Sequence, residues 1–241
     1  MEDAYVINLK TSEDRWLNIQ KEFEGTSIQL HRIEPVKLPP KKATVTRRNY
    51  GARSLVLTFL NLIQMAKRKN LPEILILEDD CFPVKDFEPR WQKIKTWLRE
   101  NPEEWDLYSG GSIWLEDPFL VGYTEDLSFY RPKTAACSQW IWAQKKSYDR
   151  IIQKYKSVLK LNRGVATDHI NYKLKLIVSY PFISYQSAKK STLSGKTPDA
   201  VIDRFKEEEH ALKNYRHSKL FHPTLNPYKR YTRRKNSKGS L

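Results

Sequence analysis

Apolar positions along the chain follow two rhythms. In some short stretches nearly every residue is apolar or aromatic; in longer ones apolar side chains recur every three or four residues. The first pattern reads as buried β-strand and the second as amphipathic helix. Strands are expected over residues 4–9 (AYVINL), 28–33, 73–77 (EILIL), 105–108, 136–143, 176–180 and 182–185. Helices are expected over 13–23, with Trp16, Ile19 and Phe23 on one face and Ser12 as N-cap, and over 51–69, opened by Gly51 and stopped by Pro72. Further helices are expected over 87–99, 147–159, 166–175 and 199–215. Residues 35–48, with Pro39, Pro40 and several lysines and arginines, read as a cationic loop.

Strand and helix alternate, which predicts an α/β layered domain with a mostly parallel mixed sheet. Residues 1–205 form this domain; 206–241 are expected to be a charged helix and basic tail. In sheets of this kind ligands gather beyond the carboxyl ends of the strands. That rule selects residues 8–10, Glu78-Asp79-Asp80, Ser109-Gly110-Gly111 and Tyr185-Gln186.

Composition narrows the classes. Of 241 residues 39% are hydrophobic and 12% aromatic, which supplies a sizeable core and excludes a disordered chain. Two cysteines, Cys81 and Cys137, exclude a disulfide scaffold and a cysteine-based zinc site. No apolar run approaches a membrane span, and the start, MEDAYVINLK, is too short and acidic for a signal peptide. A cytoplasmic protein is expected. The net charge is +15, but nine Lys and Arg and no acids lie from Lys213 onward, so the body carries a smaller excess. A moderately basic body suits an anionic small substrate such as a nucleotide. The tail suits a polyanion or an anionic membrane surface, where the protein would be peripheral, or is a solvated end.

The sharpest chemical feature is ILILEDD, residues 74–80. Three carboxylates at one point repel each other and resist desolvation. A divalent cation, magnesium or manganese, offsets that cost and bridges to phosphates. The plainer reading is a solvated strand end. In VINLKTSEDRW, Asn8 and the turn after it could hold a base or ribose, and Arg15 could meet a phosphate or an acid of the next loop. In WDLYSGG, Gly110 and Gly111 permit either a close ligand approach or a tight turn. In ATDHINYKL, Asp168 is either an N-cap or a general base for a hydroxyl, and His169 a metal ligand or a surface residue.

Taken in order, these pieces, together with AACSQWIWAQKKSYDRII and PFISYQSAKKST, resemble family 25 of the glycosyltransferases, the lipopolysaccharide-biosynthesis and collagen-type galactosyltransferase group. The likeness spans residues 4–195. It implies a GT-A fold, a Rossmann-like single domain that binds a nucleotide-diphosphate sugar donor with manganese or magnesium and transfers the sugar, with inversion, to a hydroxyl of a glycan acceptor. Carried over, Asp80 is the direct metal ligand, and Glu78 and Asp79 touch ribose, sugar or metal-bound water. Asn8, Leu9 (by its backbone) and Arg15 line the nucleotide side, with Gly110 at the donor. Gln186 and Ser191 border the diphosphate or acceptor, and Asp168 is the base. Cationic side chains of 46–53, or Lys189 and Lys190, would steady the leaving diphosphate. The chain departs from the family at Thr58 and Phe59, where a Ser-His pair is common, and at IEPVKLPPKK, which replaces an Ala-Val-Asp-Gly stretch.

Two other classes fit less of the sequence. A non-enzymatic polyanion or nucleic-acid binder would act through the tail, YKRYTRRKNSKGSL; nucleic acid ranks below a nucleotide sugar as partner. A two-metal phosphoryl-transfer enzyme would gather carboxylates from several strands, whereas one triplet dominates here.

Overall fold

The computed structural model describes residues 1–38, 47–160, 167, 174–187 and 201–219. In chain order the elements are β1 (Glu2–Ile7), α1 (Glu13–Glu22), β2 (Ile28–Ile33), α2 (Arg47–Arg68), β3 (Glu73–Glu78), β4 (Cys81–Pro83) and α3 (Phe87–Glu100). They continue with β5 (Leu107–Ser109), β6 (Trp114–Glu116), β7 (Phe119–Tyr123), β8 (Ser128–Arg131), β9 (Thr134–Ala136), β10 (Trp140–Gln144), α4 (Tyr148–Leu159), β11 (Leu176–Tyr180), β12 (Ser184–Gln186) and α5 (Val201–Lys219).

The main sheet has eight strands in the order β2-β1-β3-β10-β5-β11-β8-β7. All run in one direction except β10 and β8, so the sheet is mixed and mostly parallel in orientation, as expected from the sequence. Two small two-stranded sheets, β12-β4 and β6-β9, sit beside it.

The period-2 rule explains how the sheet holds two helical layers apart. Ile74 and Ile76 of β3 pack on one face with Val56, Phe59 and Ile63 of α2, Ile151 and Tyr155 of α4, and Phe205 and Leu212 of α5. Leu75 and Leu77 pack on the other with Ile19 and Phe23, and with Trp91, Ile94 and Leu98 of α3. β10 divides the same way: Ile141 and Ala143 to the first face, Trp140 and Trp142 to the second. Trp91 meets Trp140 edge-on at 5.2 Å and Trp142 at 5.0 Å. Such aromatic pairs add about 0.5–1.5 kcal/mol each beyond their buried area.

Several sequence expectations change. α2 begins at Arg47, a turn before Gly51. No breaker separates the two positions, and a glycine inside a long helix costs only about 1 kcal/mol. Tyr50, in the added turn, donates its hydroxyl to the Leu38 carbonyl at 2.6 Å. Ser12 stands at the N-cap of α1 but makes no side-chain cap bond. The single strand expected over 136–143 is two, β9 and β10, because the backbone turns at Cys137, whose φ is +131°. That positive φ is strained for any residue with a Cβ. Residues 112–133, left unassigned by the sequence pattern, hold β6, β7 and β8. The boundary expected between 205 and 206 falls inside α5. Leu212 and Tyr215 are buried in the same core as Phe205, so the charged helix belongs to the body at least to Tyr215. The short helix expected over 166–175 lies almost wholly outside the described residues. Among the described residues no helix is long and apolar enough to cross a membrane.

Candidate functional site

β1 and β3 lie side by side and end at the same sheet edge, in the register Ile7 opposite Glu78. The residues that follow therefore meet. Asn8, just past β1, donates its Nδ2 to Asp79 Oδ2 at 2.7 Å and to the Ser12 carbonyl at 3.1 Å. The second contact ties the loop after β1 to the start of α1. Arg15, in the first turn of α1, is carried across the acids. Its Nη2 lies 2.6 Å from Asp79 Oδ1 and 3.1 Å from Asp80 Oδ2. Of the two partners open to Arg15 in the sequence, the acid of the next loop is the one it holds.

From the opposite side comes β12, paired antiparallel with β4. Gln186 donates Nε2 to Asp80 Oδ2 at 2.9 Å, and the Ser187 amide donates to the Asp80 carbonyl at 2.7 Å. Both side-chain donors thus converge on Oδ2. Asp80 Oδ1 is buried and has no hydrogen-bond partner among the described residues. Asn8 Oδ1 and Gln139 Oε1, on either side of the β3 tip, are likewise buried acceptors without a partner.

Burial is the largest influence on these acids. It raises the Asp79 carboxyl to about 6 against the opposing pull of Arg15 and Asn8, with Asp80 adding to the rise. Burial also raises Asp80, again opposed by Arg15 and Gln186. Arg15 offsets the cost of burial only in part.

Glu78 points elsewhere. Ser138 donates to Glu78 Oε1 at 2.5 Å, and the Ser138 and Thr167 hydroxyls are 2.6 Å apart. A serine hydroxyl has one proton, so Thr167 is the donor in that second contact. The triplet is therefore divided: Asp79 and Asp80 with Arg15, Glu78 with a hydroxyl pair.

A cleft of about 190 Å³ opens over the acids, lined by Arg15, Asn18 and Glu22 of α1, Asp79 and Asp80, and Ser187, with Cys81, Phe82 and Ile202 completing it. Asn18 and Glu22 escaped the sequence reading. The signal was present: they follow Arg15 at +3 and +7, the spacing of one helix face, beside the apolar face of Ile19.

Other expected residues take different places. Gly110 accepts from the Ile183 and Ser184 amides and donates to the Trp140 carbonyl. A Cβ there would come within 2.6 Å of Trp140 Cγ and 2.4 Å of Ser184 Oγ. The close approach that Gly110 permits is to the chain's own β10 and β12. The Leu9 side chain is exposed, and its carbonyl already accepts from Ser12 and Arg32. Phe59 is buried against Tyr155 in the core, at 6.0 Å between rings, away from the cleft. Thr58 bonds Ser54 and Val36. Asp168, His169, Lys189, Lys190 and Ser191 lie outside the described residues.

Among the described residues no group of three or more His, Cys, Asp or Glu side chains is arranged to hold a metal ion by itself. Asp79 has both oxygens engaged, which leaves Asp80 Oδ1 as the unengaged oxygen of that pair. This donor set fits a cation of the magnesium or manganese kind, which typically binds proteins through one or two carboxylates and completes its shell with water and substrate phosphates.

The architecture defined by these observations is an α/β domain with an acid-lined cleft at the carboxyl ends of β1 and β3. No protein-family model matches the chain, and no curated protein matches it. Among solved structures it is similar to a glycosyltransferase involved in the glycosylation of the major capsid of PBCV-1, at 11% identity over 74% of this chain and 81% of that one, TM-score 0.43. It is similar to an apo UDP-glucose pyrophosphorylase at 13% identity over 89% and 82%, TM-score 0.41. It is also similar to the galactosyltransferase LgtC in complex with donor and acceptor sugar analogs, at 10% identity over 87% and 95%, TM-score 0.37.

Proposed function

We propose that the chain is a glycosyltransferase of the GT-A type, related to family 25, that moves a sugar from a nucleotide-diphosphate donor to a hydroxyl of a glycan acceptor, with inversion. One observation carries the reading: beneath a cleft that Asp80 lines, its buried oxygen Oδ1 has no partner among the described residues while two donors hold its neighbour Oδ2. A buried charged acceptor left unmatched costs free energy unless a ligand completes it.

Asp80 is the residue that would hold a magnesium or manganese ion. When bound, that ion supplies Lewis-acid stabilisation to the diphosphate as it departs. The rest is the work of side chains. Arg15 keeps Asp79 and Asp80 together and partly neutralised, so that the cleft accepts an anionic donor. Asn8 offers its Oδ1 to an N–H or O–H of the nucleoside. Gln186 and the Ser187 amide keep the Asp80 loop in place. Asp168, one residue beyond Thr167, takes the proton of the acceptor hydroxyl as that oxygen bonds to the anomeric carbon and the bond to the diphosphate breaks. A peripheral attachment of the basic tail to an anionic membrane belongs to the same proposal.

The test is thermal unfolding with a panel of nucleotide-diphosphate sugars, with and without manganese, followed by product detection on the donor that stabilises most. The wild type is expected to be stabilised by one donor in the presence of manganese. Asp80→Ala is expected to remain folded, with a lower unliganded melting temperature, and to lose both the stabilisation by donor and turnover. Wild-type turnover by Asp80→Ala in excess chelator would overturn the reading.

A further inference from the structure

Cys137 has two features that need a common explanation. Its backbone is held at φ +131°, which a glycine would adopt without strain. Its Sγ lies 3.5 Å from Gln186 Oε1. At the other end of the same amide, Gln186 Nε2 donates to Asp80 Oδ2. Resting on the cation site proposed at Asp80, we propose that Cys137 is a positioning residue: its thiol holds the carbonyl end of the Gln186 amide and so keeps that amide on Asp80 Oδ2, leaving Oδ1 for the cation.

The chemistry of the amide makes the argument. An ionised carboxylate only accepts hydrogen bonds, so Gln186 must turn its NH2 toward Asp80. Its carbonyl oxygen then faces Cys137, and a thiol is a donor that meets a carbonyl there. Both ends of Gln186 agree on one orientation. A flipped amide would set its oxygen against the carboxylate and its NH2 against the thiol. With Gln186 and Arg15 both on Oδ2, Oδ1 is the oxygen left to bind. The backbone turn at Cys137, between β9 and β10, is what carries the thiol to that amide. The strain buys a contact that a glycine of the same backbone conformation would lack.

The experiment separates this role from packing. The side-chain amide resonances of Gln186, assigned by their loss in Gln186→Ala, are followed by 15N NMR in the wild type, Cys137→Gly and Cys137→Ser. In the wild type they are expected to be dispersed and protected from solvent exchange. In Cys137→Gly they are expected to move to the position of a free amide and exchange quickly, although the melting temperature holds or rises because the strain is gone. Cys137→Ser, which keeps a donor, is expected to restore much of the dispersion. Manganese affinity, read from the free-ion EPR signal, should weaken about fivefold in Cys137→Gly, the effect of one hydrogen bond, and recover in part in Cys137→Ser. Unchanged Gln186 signals in Cys137→Gly, or a lowered melting temperature with unchanged signals, overturn the inference. A wild type that takes up no manganese defeats the cation reading of Asp80, and the Gln186 resonances still decide the role of Cys137.

Discussion

The Arg15 guanidinium lies between Asp79 and Asp80, 2.6 Å from one carboxylate and 3.1 Å from the other, with its own side chain only 8% exposed. One resident cation thus serves two adjacent acids at the base of the cleft. Removing one partner of a buried ion pair leaves the others uncompensated and costs about 3–5 kcal/mol. Arg15→Met keeps the length of the side chain and deletes the charge. It is expected to lose about 3 kcal/mol of stability in denaturant unfolding at neutral pH. A loss below about 1 kcal/mol would show that the acids do not depend on Arg15.

Glu208, on α5, gives the fold a pH dependence of its own. Burial raises its carboxyl from the ordinary 4.5 to about 7, with Glu207 adding and a hydrogen bond from the Leu115 backbone opposing. Its Oε2 is buried with no partner among the described residues. Because the folded value is raised, this group's contribution is full below about 4.5 and is lost as the pH rises through about 7. Glu208→Gln removes the titration. The gain in melting temperature of Glu208→Gln over wild type should be larger at pH 8 than at pH 5. An equal gain at both would mean that Glu208 is not protonated preferentially in the fold.

Gly122 lies at the irregularity in the β7-β8 pairing, against Trp97, whose ring stacks on Phe129 at 3.9 Å. A Cβ at Gly122 would be 2.4 Å from Trp97 Cζ2. Gly122→Ala is expected to cost about 1–3 kcal/mol by overpacking, seen as a lower melting temperature and altered tryptophan fluorescence. A variant as stable as wild type would show that Trp97 has room to move.

Asp168 separates chemistry from binding. If it takes the acceptor proton, Asp168→Asn lowers kcat by roughly 100-fold or more and leaves donor affinity near wild type. Equal losses in both quantities would make Asp168 a structural cap.

The sequence and the structure agree best where one residue type has one reason to be where it is. ILIL before the acids is apolar at every position because Ile74 and Ile76 face one helical layer while Leu75 and Leu77 face the other. Trp91, Ile94 and Leu98 announced α3 by their spacing for the same reason. The acids themselves were legible as a cluster, but not their division. Nothing local says that Glu78 would find Ser138 while Asp79 finds Asn8 and Arg15, because these partners come from loops and a helix distant in sequence, and the order of the strands that brings them together is set by the whole sheet. The strands β6 to β8 stayed hidden because they are three to five residues long, and the first two have exposed apolar positions. The turn at Cys137 was invisible because a positive φ is announced in sequence by glycine, and cysteine stands there instead.

The reversed direction of β10 has a consequence for how this protein could diversify. β5 leaves the sheet at the edge where the acids lie, and β10 re-enters at that same edge, with Gln139 hydrogen-bonded to Glu78 through the backbone. The excursion between them therefore starts and finishes at the sheet edge that carries the acids. New loop lengths between β5 and β10 would change what stands beside the acids at that edge, while the helical layers beneath keep their form.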